Sequence, residues 1–159
     1  MHKEDSTKIT DSGSDYMNFL AQFDTPIRYR TMVEVAAEVC GLQLSGFLEN
    51  DDLELYFDIC NGEREMGFIA KGPQEPGFRL GDIVRIEKWQ EDAFRATTSD
   101  ILRYCAVSGI TATLDKEPDE PYKLFLGAVI YAEGFNPATF SLALEALHDC
   151  VERVRELLG

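Results

Sequence analysis

The end of the chain, residues 136–158, predicts one long amphipathic helix. Asn136 is a residue type favoured at an N-cap, and Pro137 suits the first helical position, where its missing N–H would have no helical partner. A helix this one-sided must bury its stripe, and the strand-like residues 122–132 just before it predict a sheet as the partner. The predicted stripe, at steps of four and three, is Phe140, Leu144, Leu147, Val151, Val154 and Leu158.

A helix and a group of strands are predicted in the first half of the chain. Thr31 and Glu34 are spaced as a capping box, and Gly41 stands at the C-cap position of a helix over residues 31–40. Asn61-Gly62 is the strongest short signal for a hairpin with a type I′ turn. The predicted strands are residues 53–60, 63–71 and 81–89, with residues 42–48 as an additional short strand.

A helix and a second group of strands are predicted in the second half of the chain. Residues 91–108 are helical in pattern, with Ser99 as an N-cap and Gly109 at the end, and residues 110–114 and 122–132 predict a second hairpin. The order is helix, three strands, helix, two strands and the long C-terminal helix. Runs of strands broken by single helices favour an α+β fold with a mostly antiparallel sheet over a doubly wound parallel one.

Length and composition predict a single folded domain. The chain has 159 residues, 45% of them hydrophobic, which suits one core. Residues 1–15 are polar and without periodicity, so they predict a flexible tail, and residues 16–159 predict a single α+β domain. A short helix is expected at its start, from the spacing of Tyr16, Phe19, Leu20 and Phe23.

The charge of the chain restricts its partners. With 29 acidic residues against 15 lysines and arginines, the net charge is −14, which repels phosphate backbones and anionic membranes. No nucleic acid or membrane is expected as a partner, and a charged polypeptide partner is expected to present a basic segment. The chain has no apolar run of about 20 residues, and residues 1–15 lack the apolar core of a signal peptide. We therefore expect a cytoplasmic protein.

No catalytic residue, metal site or cofactor is predicted. His148 and Cys150 are two residues apart on a helix, so their side chains point about 200° apart, and neither has an evident third partner. Residues 72–81 contain glycines but lack the Lys-Ser/Thr pair of a phosphate-binding loop. Two acidic groups lack EF-hand spacing and are interpreted as solvated turns: Glu49, Asp51, Asp52 and Glu54, and Asp115, Glu117, Asp119 and Glu120. Four dispersed cysteines are interpreted as free thiols: Cys40, Cys60, Cys105 and Cys150.

The last part of the chain resembles a known family. The segments ILRYCAVSG (101–109), FLGAVIYAEG (125–134) and FNPATF (135–140) are similar to the C-terminal half of the YbjN-domain family of bacterial sensory-transduction regulators, whose fold is like that of type III secretion chaperones. The resemblance implies a homodimer that binds another polypeptide and performs no chemistry. It also implies that the middle helix supplies the dimer contact, through Ile101, Leu102 and Cys105.

Two hypotheses about function follow. The first is a non-enzymatic protein-binding module of chaperone or adaptor type, YbjN-like or type III secretion chaperone-like. The alternative is a small enzyme or small-molecule-binding protein whose site is assembled from residues scattered along the sequence. Recovery of one stable polypeptide partner favours the first, and a large thermal shift with a metabolite favours the second.

Overall fold

The computed structural model describes residues 26–50 and 54–159. The predicted tail and the predicted helix around Tyr16, Phe19, Leu20 and Phe23 lie outside these residues. The described helices are α1 (Pro26–Val39), α2 (Glu91–Val107) and α3 (Pro137–Leu158). The described strands are β1 (Gln43–Glu49), β2 (Leu55–Asn61), β3 (Arg64–Lys71), β4 (Gly77–Ile86), β5 (Thr111–Asp115) and β6 (Tyr122–Tyr131). Short 3-10 turns, Lys88–Gln90 and Ala132–Gly134, precede α2 and α3.

The strands form one antiparallel sheet in the order β1-β2-β3-β4-β6-β5. At its centre β4 pairs with β6 along the whole of β4, from the Gly77–Tyr131 pair to the Ile86–Tyr122 pair. The predicted α+β fold with an antiparallel sheet is therefore confirmed. Four strands precede α2 instead of three, because the additional short strand joins β2 at the edge of the sheet as β1.

The hairpin between β2 and β3 is confirmed, but its turn is not the predicted type I′. Asn61 pairs with Arg64, so Gly62 and Glu63 are the two loop residues. Gly62 has a φ of 66°, whereas Glu63 is not among the residues with positive φ. A type I′ turn needs positive φ at both loop residues, while glycine at the first position is what a type II′ turn requires.

Two helices begin earlier than predicted. α1 begins at Pro26, so Thr31 lies inside it and does not cap it. α2 begins at Glu91 and continues through the predicted cap, Ser99. The hydroxyls of Thr97 and Thr98 donate to the carbonyls of Ala93 and Phe94, four residues back within the helix.

The three helices cover one face of the sheet, where the core lies. β4 and β6 contribute alternate buried residues to this face, among them Leu80 and Leu126. The start of α3 is fixed as predicted: Asn136 Oδ1 accepts the Thr139 N–H at 2.9 Å, and Pro137 is the first helical residue. The side chains of the α3 stripe are all buried in the core: Phe140, Leu144, Leu147, Val151, Val154 and Leu158.

Candidate functional site

The opposite face of the sheet has no helix packed on it among the described elements, and we call it the uncovered face. Along an antiparallel pair, directly opposed residues lie on the same face, and every second residue of each strand shares that face. Arg79 opposes Val129, Ile83 opposes Phe125, and Arg85 opposes Lys123. The uncovered face is defined by these residues of β4 and β6 together with Phe68 of β3 and Tyr131 of β6.

Apolar side chains form the middle of the uncovered face. Ile83 is 38% exposed, Val129 is 53% exposed and Tyr131 is 65% exposed, while Phe68 and Phe125 are half-buried. The Phe68 ring lies over Gly81, where a Cβ atom would collide with it. A patch of large apolar side chains on one sheet face is a feature of surfaces that bind other molecules.

The charged side chains contributed to the uncovered face by β4 and β6 are cations. Arg79 Nε lies 3.0 Å from Glu75 Oε1, and Lys123 Nζ lies 2.9 Å from Glu120 Oε2. The Glu120 carboxylate, which accepts a hydrogen bond from Lys123, raises the pKa of that half-buried lysine. Arg79 and Lys123 are thus each paired with a carboxylate, and Arg85 is the third cation that β4 and β6 contribute to this face.

A groove opens between β3 and β4 where the two strands separate, and its lining combines residues of the uncovered face with Asp82 and Arg155 from the helix side. β3 pairs with β4 only from Phe68–Gly81 to Ala70–Arg79, although β4 continues to Ile86. Gly67, with a φ of 146°, lies at the point of separation, and a Cβ there would come within 2.5 Å of the Gly81 carbonyl oxygen. The resulting groove has a volume of about 670 Å³.

Asp82 lies in this groove, and its carboxylate accepts a backbone hydrogen bond. Asp82 Oδ1 accepts the Ile83 N–H at 2.7 Å. Burial is the main cause that raises the pKa of Asp82, and the Ile83 hydrogen bond and the positive charge of Arg155 act in the opposite direction. The carboxylate thus satisfies a backbone N–H that has no strand beside it.

The predicted dimer residues of α2 lie on two different sides of the helix. Ile101 and Cys105 are 1% and 2% exposed within the single chain, because they pack into the core against α3 and the sheet. Leu102 is 51% exposed. Of these three side chains, Leu102 is the one that a second molecule can reach without rearrangement of the core, and the dimer contact itself stays a prediction.

The residues weighed for catalysis are separated in the structure. Cys150 is fully buried, and its sulfur contacts that of Cys105. His148 is half-buried and lines a small crevice of about 140 Å³ beside Cys40 and Met66. In the part of the chain that the structure describes, no group of three histidine, cysteine, aspartate or glutamate side chains is placed to hold a metal ion.

The two acidic groups form local hydrogen bonds where they are described. In the first group Asp51 and Asp52 lie outside the described residues, and the Glu54 carboxylate accepts hydrogen bonds from Asn50 Nδ2 at 2.8 Å and the Tyr56 hydroxyl at 3.1 Å. In the second group Glu120 pairs with Lys123. These contacts are those of ordered turns.

The uncovered face was not predicted from the sequence. Its signal is the alternation of arginines with buried apolar residues in β4, where Arg79 and Arg85 flank Leu80 and Val84. In β6 the signal is hidden, because Phe125 and Val129 on the uncovered face are as apolar as Leu124 and Leu126 on the helix face. A strand that is apolar on both faces reads as fully buried.

Comparison with known proteins supports the fold. No protein family model matches the chain, and no curated protein matches its sequence. The structure is similar to the crystal structure of an uncharacterized protein from Methanothermobacter thermautotrophicus, with a TM-score of 0.65 and 9% identity, over 81% of this chain and 95% of that one. It is also similar to YbjN from E. coli, a proposed transcription regulator, with a TM-score of 0.54 and 15% identity, over 83% of this chain and 92% of that one. At these identities the likeness shows the fold alone, and it supports the YbjN-like fold that the sequence predicts.

Proposed function

We propose that this chain is a non-enzymatic protein-binding module of chaperone or adaptor type, related to the YbjN family and acting as a homodimer in the cytoplasm. The observation that carries the proposal is the uncovered face, where Ile83, Phe125, Val129 and Tyr131 form an apolar surface on an open sheet. An antiparallel sheet that only faces water carries mainly polar residues on that side. Apolar anchors on an accessible face are what a protein partner needs, because burial of such anchors supplies most of the binding energy.

The chemistry of the described residues supports a binding role over a catalytic one. The most strongly perturbed thiol, Cys150, is sealed in the core. An enzyme places its perturbed groups in an accessible cleft. The groove between β3 and β4 holds one carboxyl with a raised pKa, Asp82, and that carboxylate accepts the Ile83 backbone N–H.

No helix in the described residues is both long and apolar enough to cross a membrane.

The experiment that tests the proposal uses the full chain as bait for polypeptides from a lysate. Wild type is compared with Val129→Glu, which places a charge on the uncovered face, and with Leu142→Glu, which places the same charge on an exposed site of α3. Thermal unfolding of the three proteins establishes that they are folded.

We expect one polypeptide to be recovered by wild type and by Leu142→Glu, and to be lost with Val129→Glu. Crosslinks from that polypeptide should map to β4 and β6. Recovery that is insensitive to Val129→Glu would contradict the proposal. So would the absence of any recovered polypeptide together with a large thermal shift by a metabolite, which would support a small-molecule-binding protein.

A further inference from the structure

β4 has a free backbone edge inside the sheet. Residues 82–86 of β4 have no β3 partner, because β3 turns away at Gly67. The Ile83 N–H is directed toward this side, where it is satisfied by the Asp82 carboxylate instead of a strand. Alternate residues of an antiparallel strand direct their backbone groups to the same side, so Arg85 also presents its N–H and C=O to the groove.

The side chains beside this edge are of two kinds, apolar and charged. Phe68, Ile83 and Phe125 provide an apolar floor. Three cations, Arg85, Lys123 and Arg155, and two carboxylates, Glu65 and Asp82, provide the charges.

One cation of the groove has no carboxylate partner among the described residues. Lys123 is paired with Glu120, and Arg155 is paired with Glu152 at 2.9 Å. Arg85 is not within ion-pair distance of a carboxylate in the described part of the chain, so it is the cation left to receive an anionic ligand.

We infer that the groove between β3 and β4 takes up an extended acidic segment of a partner polypeptide, which pairs with the free edge of β4 and places its carboxylates against Arg85. The inference rests on the proposed function and adds to it the docking site and the chemistry of the partner. The partner backbone would pair at about 4.8 Å from β4, the usual spacing of neighbouring strands. Its apolar side chains would alternate with acidic ones and pack on Phe68, Ile83 and Phe125.

This inference opposes the expectation drawn from net charge. The charge of −14 attracts basic polypeptides at long range, but a bound segment is held by the groups within a few ångströms of it. Within the groove Arg85 is the cation left to contact an acidic segment, because Lys123 and Arg155 are already paired with carboxylates. The expectation from net charge therefore predicts tighter binding of a lysine-containing peptide, whereas the inference predicts tighter binding of a glutamate-containing one.

Two fluorescein-labelled octapeptides test the inference, one alternating glutamate with valine and the other alternating lysine with valine. Binding to the full chain is measured by fluorescence anisotropy at about 0.15 M salt, near physiological ionic strength. We expect the glutamate peptide to bind about tenfold or more tightly than the lysine peptide. Tighter binding of the lysine peptide, or no binding of the glutamate peptide, would overturn the inference.

Two charge-reversal variants separate the groove from the overall field. Arg85→Glu and Arg95→Glu each lower the net charge by two, but Arg95 lies on α2, with 69% of its side chain exposed. We expect Arg85→Glu to weaken binding of the glutamate peptide about tenfold and Arg95→Glu to change it less than about twofold. Equal losses in both variants would show that the overall field, and not the groove, selects the peptide.

Backbone pairing is tested with two N-methylated forms of the glutamate peptide, each methylated on every second residue. An extended peptide directs its odd and even N–H groups to opposite sides. One form should therefore lose binding and the other should retain it. If both forms bind like the parent, no strand pairing occurs and the inference is wrong.

The acidic-strand inference can fail while the proposed binding function holds, and the variants distinguish the two cases. A partner lost with Val129→Glu but retained by Arg85→Glu, combined with failure of the glutamate peptide, would remove the acidic-strand inference and leave the binding module. A partner insensitive to both variants would remove both.

Discussion

Cys105 Sγ lies 3.2 Å from Cys150 Sγ, and this contact joins α2 to α3 inside the helix layer. The two residues are 2% and 0% exposed. Burial, and then the contact with the Cys105 thiol, raise the pKa of Cys150 from its usual value near 9 to about 12. The thiol form of Cys150 is thus part of the packed core.

The burial of this pair predicts selective alkylation. Cys40 and Cys60 are half-buried, whereas Cys105 and Cys150 are sealed. We expect iodoacetamide at about pH 8 to modify Cys60 in the native protein and Cys40 more slowly, because burial raises the pKa of Cys40 and the accessible thiolate is the reactive form. Cys105 and Cys150 should react only after denaturation. Peptide mass spectrometry reads out each site. Rapid native labelling of Cys150 would contradict its placement.

The raised pKa of Cys150 predicts a loss of stability at high pH. Between about 9 and about 12 the folded state retains the Cys150 proton while the unfolded state releases it. The stabilisation is therefore fully present below about pH 9 and is lost as the pH rises toward 12. We expect the free energy of unfolding to fall more steeply in this window for wild type than for Cys150→Ala. Parallel curves would show that Cys150 does not contribute, since other titrating groups are common to both proteins.

The parts of the fold that sequence could predict are those in which local pattern and tertiary role agree. The α3 stripe is spaced for a helix and is buried as one, and Gly41 and Gly109 follow α1 and α2 as predicted. The separation of β3 from β4 beyond Phe68 could not be predicted, because the close approach of Gly67 to the Gly81 carbonyl oxygen involves residues distant in sequence. The candidate site depends on that separation. It also depends on which face of β6 the helices cover. The sequence does not identify that face, because both faces of β6 are apolar.

Leu147 lies at the centre of the buried stripe, with 0% exposure. Leu147→Ala should lower the free energy of unfolding by about 2 to 5 kcal/mol, through lost burial and the cavity left behind. Leu142→Ala, at a residue on the same helix that is 66% exposed, is the matched control and should cost less than about 1 kcal/mol. Urea denaturation measures both. A loss below about 0.5 kcal/mol for Leu147→Ala would mean that the stripe is not packed as described.

The homodimer is predicted at about 36 kDa, twice the chain mass of 17.9 kDa. In a two-fold interface the same patch lies on both subunits, so a charge at Leu102 would face its own copy. We expect wild type and Leu142→Glu to be dimers by light scattering at tens of micromolar, and Leu102→Glu to be a monomer. A monomeric wild type would count against the prediction, and a dimeric Leu102→Glu would move the interface away from α2.

The last prediction concerns Gly67, where β3 leaves β4. An added methyl group there meets both a backbone clash with the Gly81 carbonyl and a φ of 146° that side chains rarely adopt. Gly67→Ala should therefore cost about 1 to 3 kcal/mol or more in the free energy of unfolding. Gly62 is the matched control, because it also has a positive φ, of 66°, but no atom lies within 4 Å of an added Cβ. Gly62→Ala should cost about 1 kcal/mol, from backbone conformation alone. Urea denaturation compares the two, and the excess loss at Gly67 measures how tightly β3 and β4 are held where the groove begins. Equal losses would show that the junction yields to a methyl group, and the groove would then have no fixed end.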